Sequence, residues 1–248
     1  MLKIALLPQV QDFSLPLYFF MQAVILAAGQ GTRLRPITYH VPKPMIRIVG
    51  KNLIEHNIDR LPEEIDEIIL VVGYLSEQLI NHFGNEFQGR KVRYVKQQNL
   101  LGTGHALHLC KNILQDRFLV MMGDDIYSRE DMEKCLNHEQ CMLTKEISGK
   151  FAGGRVSLDE NGCLRDIIEG VHNRDKSLVN TALYVINKNF FDYDLVSIPG
   201  KDEYGLPQTL VRIAKDHPIK IEKADFWLQI SDIAGLRRAE KILSKDNE

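Results

Sequence analysis

The chain has 248 residues, 44% hydrophobic and 26% charged, enough apolar material for one α/β domain with a sizeable core. A net charge of −2 lacks the basic excess that nucleic acid or an anionic membrane surface demands. Four cysteines (Cys110, Cys135, Cys141, Cys163) form no C-x-x-C pair and read as reduced, packed thiols of a cytoplasmic protein, not as a zinc site.

In chain order, residues 1–20 are apolar but broken by Pro8, Asp12 and Pro16, which excludes a membrane helix, and they carry no small-residue cleavage site. Met21 is a second candidate start, so residues 1–20 are expected to be an N-terminal extension, native or not, ahead of a single domain over 21–248. Residues 23–28 read as a fully buried parallel strand. There follow a short strand over 45–49, a helix over 52–61 capped by Asn52, a strand over 67–72, a helix over 76–83, a strand over 91–96, a helix over 105–114 and a strand over 118–122. Such β-α-β-α-β alternation predicts a mostly parallel sheet with helices on both faces and ligands beyond the strands' carboxyl ends. The second half is richer in strands: 141–146, 155–158, 163–168 and 181–186, with a hairpin turn at 159–162. A helix over 206–215, strands over 219–223 and 226–230 and a helix over 232–244 complete the reading, with no repeat and no linker.

The most specific stretch is V-I-L-A-A-G-Q-G-T-R-L-R-P-I-T-Y-H-V-P-K-P-M, residues 24–45. A buried strand opens there onto a loop with two glycines and fixed cations, the makings of an anion site. Gly29 and Gly31 let backbone N–H groups approach a ligand, and Arg33 offers a planar fork to phosphate oxygens. Lys43 lies between Pro42 and Pro44, and the second proline should hold it extended. A dinucleotide fingerprint, G-x-G-x-x-G, is disfavoured because Leu34 occupies the third glycine position.

This segment resembles the signature L-A-A-G-x-G-T-R-L-x-P-x-T-x-x-x-P-K-P-M of the sugar-1-phosphate nucleotidylyltransferases, and Leu26 to Met45 meet every fixed position. The resemblance implies the nucleotide-diphospho-sugar transferase fold: a Rossmann-like, mixed and mostly parallel sheet with helices on both faces and a small β-rich sugar-binding extension. It also implies that Ala27, Ala28, Gly29, Gly31 and Thr32 bind the nucleotide and that Arg33 and Lys43 are catalytic. Y-V-K-Q-Q-N-L-L-G-T-G-H-A, residues 94–106, resembles the family's base-reading segment and assigns Gln97, Gly102 and Thr103 to the nucleotide. A carboxamide can offer uracil both an acceptor and a donor. His105 and His108 share a helix face, where packing or solvent contact is expected.

Gly123-Asp124 resembles the family's metal motif, with Asp124 as the Mg²⁺ ligand and Asp125 pointing the other way. The second ligand position, normally aspartate, holds Gln229, whose amide oxygen can still coordinate. Glu169 and Asn180 fall in segments resembling the family's sugar-contacting I-V-E and N-T-G, and Gly154 resembles a backbone contact. The lysine expected after Glu169 is Gly170.

These resemblances imply transfer of a nucleoside monophosphate, UMP in the first reading, from a nucleoside triphosphate to a sugar 1-phosphate, releasing pyrophosphate and needing Mg²⁺. The expected partners are these small molecules, with neither nucleic acid nor membrane; a homo-oligomer is left open. Glucose-1-phosphate thymidylyl- or uridylyltransfer and a catalytically weakened nucleotide-sugar-binding protein are the alternatives.

Overall fold

The computed structural model describes residues 21–245; residues 1–20, and the extension expected there, lie outside the described residues, as do 246–248. All seven residues of β1 (Met21–Ala27) are buried. A short pair follows, β2 (Arg47–Ile48) and β3 (Lys51–Asn52), and then α1 (Leu53–Ile58). Asn52 caps α1 as expected: its side chain accepts from Glu55 N at 2.9 Å, and Glu55 Oε2 accepts from Asn52 N at 2.6 Å. Next come β4 (Ile65–Val72), α2 (Ser76–Phe83), β5 (Glu86–Phe87), β6 (Arg90–Lys96), α3 (Gly102–His108), β7 (Arg117–Met122), β8 (Ile126–Tyr127) and α4 (Arg129–Leu136). Two long strands, β9 (Cys141–Leu158) and β10 (Leu164–Asn187), precede α5 (Leu206–Ile213), β11 (Lys220–Lys223), β12 (Trp227–Leu228) and α6 (Ile233–Lys245).

Eight strands form the main sheet in the order β11-β9-β10-β7-β1-β4-β6-β5. β1, β4, β6 and β7 run parallel, while β10 is antiparallel to both β7 and β9. The chain moves outward from β1 through β4 to β6 and then returns to β7 on the other side of β1. The carboxyl ends of β1 and β7 therefore flank a topological switch point, where open α/β sheets bind ligands.

Alternation along β1 feeds two cores. Ala23, Ile25 and Ala27 face a layer built from α1, α2 and α4; Val24 and Leu26 face one built from α3 and α5. This is the mostly parallel sheet covered on both faces that the sequence implied. Among the described residues no helix is long and apolar enough to cross a membrane, and all four cysteines are free and buried.

Several local expectations need correction. Lys43 opens a 3-10 turn, Lys43–Met45, and is not extended; only Arg47–Ile48 of the expected strand is strand. α3 begins three residues early, at Gly102, and gives way to turns after His108. The four strands of the second half are two continuous ones, whose ends pair across the turn where Asp159 Oδ1 accepts from Asn161 N and Cys163 N. The helix α4 was not anticipated, although Ser128 caps it by accepting from Asp131 N.

Candidate active site

Three cavities meet at the switch point, and all three share Leu26 and Met122, near the ends of β1 and β7. The first, about 190 Å³, is lined by Ala27, Gly29, Gly31, Thr32, Arg33, Lys43 and Asp124. The second, about 270 Å³, adds Gly154, Glu169, Asn180 and Gln229. The third, about 400 Å³, carries Ala28, Gln97, Gly102 and Thr103. Every residue assigned to the nucleotide, sugar, metal or reaction from the sequence thus lines one branched cleft, though these residues span positions 27 to 229.

The first lobe is built by the loop after β1. Gly31 is left-handed, with φ +61°, and its carbonyl accepts from Thr38 Oγ1 at 2.9 Å. A side chain at Gly31 would meet Lys43 Cβ at 2.8 Å, so glycine is what lets the loop close over Lys43. Lys43 is buried, and its ammonium forms a hydrogen-bonded ion pair with Asp124 across the lobe. Arg33 forms no ion pair among the described residues. It stands at the junction of the first and second lobes as an uncommitted cation.

In the third lobe Gln97 follows β6, with its backbone N–H bonded to Val72 O at 2.8 Å. Its Nε2 lies 3.0 Å from Gly102 O and 3.1 Å from His105 Nδ1. The amide's donor end is therefore engaged within the protein. This corrects the sequence reading, in which it served a ligand, and gives His105 a specific contact beyond packing. Gly102 has φ +90°, and a side chain there would collide with the Tyr204 carbonyl. Glu203, which sequence reasoning missed, places a carboxylate on the same wall.

In the second lobe Glu169 and Gly154 are cross-strand partners of β10 and β9. Asn180 Nδ2 donates to the Tyr184 hydroxyl at 2.8 Å, and burial pushes that phenol up, so it stays protonated and keeps its own hydrogen to donate. Tyr184, Leu206 and Pro207, which carried no local sequence signal, line the same lobe with Thr181 and Trp227.

Asp125 was expected to point away from Asp124, but residues 123–125 form a turn and not an extended strand, so alternation does not hold and Asp125 lines the second lobe beside Asp124 and Lys43. Its carboxylate accepts from Trp227 Nε1 at 3.1 Å and Ile230 N at 3.2 Å. Burial, and then the neighbouring Asp124 charge, hold its carboxyl above the usual range. Asp131, on α4, accepts from Phe226 N at 2.9 Å and Asp225 N at 3.1 Å. These two aspartates staple the segment that carries Gln229 against the sheet.

The nucleotidyl transferase family profile matches residues 22–244. The chain belongs to this nucleotidyl transferase family. It is 31% identical over 225 residues to the bifunctional protein GlmU of Methanocaldococcus jannaschii, covering 90% of this chain and 54% of that one, so it spans about half that relative's length. It is 30% identical over 217 residues to the UTP–glucose-1-phosphate uridylyltransferase AglF of Haloferax volcanii, covering 84% of this chain and 89% of the relative. The fold matches a provisionally assigned glucose-1-phosphate thymidylyltransferase of Bacillus anthracis, solved with sucrose, at a TM-score of 0.79, 23% identity and coverage of 90% and 94%. The resemblance to sugar-1-phosphate nucleotidylyltransferases, and the nucleotide-diphospho-sugar transferase fold it implied, are borne out.

Two departures from the pattern that the resemblance implied fall in or beside the second lobe: Gln229 stands on its wall, and Gly170 pairs with Gly153 at the strand position beyond Glu169. Ala182, at the last position of the segment resembling N-T-G, holds φ +60°.

Proposed function

We propose that the protein transfers the uridylyl group of UTP to a sugar 1-phosphate with Mg²⁺ as cofactor, releasing pyrophosphate. One observation carries this reading: three lobes meet at Leu26 and Met122, and Arg33, Lys43 and Asp124 line both of the two smaller ones. A phosphate oxygen of the sugar 1-phosphate attacks the α-phosphorus in line. The new P–O bond forms as the bond to the pyrophosphate oxygen breaks. The nucleophile is already anionic, so no protein base is needed, and catalysis reduces to positioning and charge neutralisation.

Arg33 neutralises the departing pyrophosphate. Lys43 exchanges its Asp124 partner for the α-phosphate and the attacking phosphate. Gln97 and Gly102 meet the base, Ala27, Ala28, Gly29, Gly31, Thr32 and Thr103 the rest of the nucleotide, and Glu169, Asn180 and Gly154 the sugar. Asp124 and Gln229 line one lobe and would hold a Mg²⁺ ion there, a carboxylate and an amide both offering the hard oxygen donors that Mg²⁺ takes. Bound there, the ion adds positive charge to the phosphate oxygens.

The test is pyrophosphate release with UTP, Mg²⁺ and a panel of hexose and N-acetylhexosamine 1-phosphates. Release with at least one acceptor is expected, and the panel shows whether that acceptor is a hexose or an N-acetylhexosamine 1-phosphate. Tight binding of a UDP-sugar with no turnover on any acceptor would instead favour the binding-protein alternative, to which Gly170 and Gln229 lend some support.

A further inference from the structure

Gln97 is 5% exposed, and its amide has only one end to spare. A carbonyl can only accept, so the Gly102 oxygen at 3.0 Å identifies the nearby amide atom as nitrogen. The second amide hydrogen meets His105 Nδ1 at 3.1 Å. That ring nitrogen must carry a lone pair, which puts the imidazole proton on Nε2. Burial, and then the nearby His108, hold His105 below its ordinary value, consistent with a neutral ring. With both hydrogens engaged, Oε1 is the part of the amide free to meet a ligand. His105 stands behind Gln97 on α3 and does not line the lobe.

We propose that His105 is a positioning residue for base selection: by accepting from Gln97 it holds the amide oxygen toward the base, so that the site reads an N–H lying between two carbonyls. Uracil and thymine present that imide. Cytosine presents a bare ring nitrogen at the same place, and two acceptors would then face each other. A freely turning amide could offer its NH₂ to cytosine instead, so selectivity depends on what locks the amide. The assignment rests on the third lobe being the base site, as in the function proposed above.

The test compares the affinities of UTP and CTP, by titration calorimetry, for the full chain and for His105→Leu and His105→Asn. Leucine removes the acceptor; asparagine returns an oxygen close to the Nδ1 position. The UTP-over-CTP affinity ratio is expected to fall about tenfold in His105→Leu, the worth of one hydrogen bond, and to recover in His105→Asn. An unchanged ratio in His105→Leu overturns the proposal, because a merely structural residue would shift both affinities together. Nitrogen NMR of the unliganded protein at neutral pH is expected to show His105 protonated on Nε2 and not on Nδ1; the opposite tautomer overturns it too. If His105→Leu does not fold, the asparagine variant and the tautomer decide. These readouts need no turnover: absence of pyrophosphate release with the affinity pattern intact would sink the transferase reading and leave this one standing.

Discussion

Lys43 and Asp124 hold each other across the first lobe, joining a loop after β1 to the end of β7 over 81 residues of sequence. The lysine side chain is 9% exposed and the aspartate 24%, so neither charge is well solvated and each stabilises the other's placement. A phosphate entering the lobe meets an ammonium already fixed in position, so little ordering is left to do when substrate binds. Lys43→Ala is expected to lower kcat for pyrophosphate release by about 10²–10³-fold, the usual effect of losing a preorganised charge at a reacting group. The fold should survive with a modest loss of stability. A variant with unchanged kcat would remove Lys43 from the reaction.

Ala182 adopts a left-handed backbone that normally belongs to glycine. Asn180 supports it, with its Oδ1 accepting from Ala182 N at 2.9 Å. Ala182→Gly should relieve strain worth about 1 kcal/mol and raise the melting temperature by about 2–4 °C. A fall in melting temperature would mean that the position is unstrained and that the glycine only loosens the unfolded chain.

Gln229 shares its lobe with Asp124 and Asp125. If its amide oxygen ligates Mg²⁺, a carboxylate in its place should hold the ion more strongly. Gln229→Asp is expected to lower the Mg²⁺ concentration for half-maximal activity on the order of tenfold, because affinity at such sites follows ligand charge. Gln229→Ala should raise it. Magnesium titrations of initial rate check both, and a requirement that does not move in either variant excludes Gln229 as a ligand.

What the sequence made legible follows from how local each signal is. The run of residues 23–28, its glycine loop and the G-D after β7 each write a buried strand and its ligand end into consecutive positions. Those stretches brought Arg33, Lys43 and Asp124 to one cleft. β9 and β10 were less readable because long stretches alternate between half-buried and exposed residues, which looks like several short strands. α4 was hidden because R-E-D-M-E-K-C-L buries only Asp131, Met132 and Cys135. Asp125 and Asp131 were missed as supports because their backbone partners lie 94 to 105 residues away, and nothing near either aspartate announces them. The direction of the Gln97 amide was likewise out of reach, since it depends on which of its atoms faces Gly102 and His105.

Asp131 ties the fold to the site. Its side chain is fully buried, and it accepts from two backbone N–H groups of the segment leading to Trp227 and Gln229, and from Lys134 at 2.8 Å. Burial alone would push its carboxyl up. The hydrogen bonds from Lys134, Phe226 and Asp225 outweigh that and hold it below the usual carboxylate range. A depressed folded-state pKa adds stability above the unfolded value of about 4, and that stability is lost as pH falls through the lower folded value. Asp131→Asn, which keeps one acceptor but no charge, should cost about 1–3 kcal/mol at pH 7. The cost should shrink toward acid, so denaturant melts of the two proteins are expected to converge below about pH 4. A gap that stays constant from pH 7 into acid would mean that the carboxylate's charge contributes nothing.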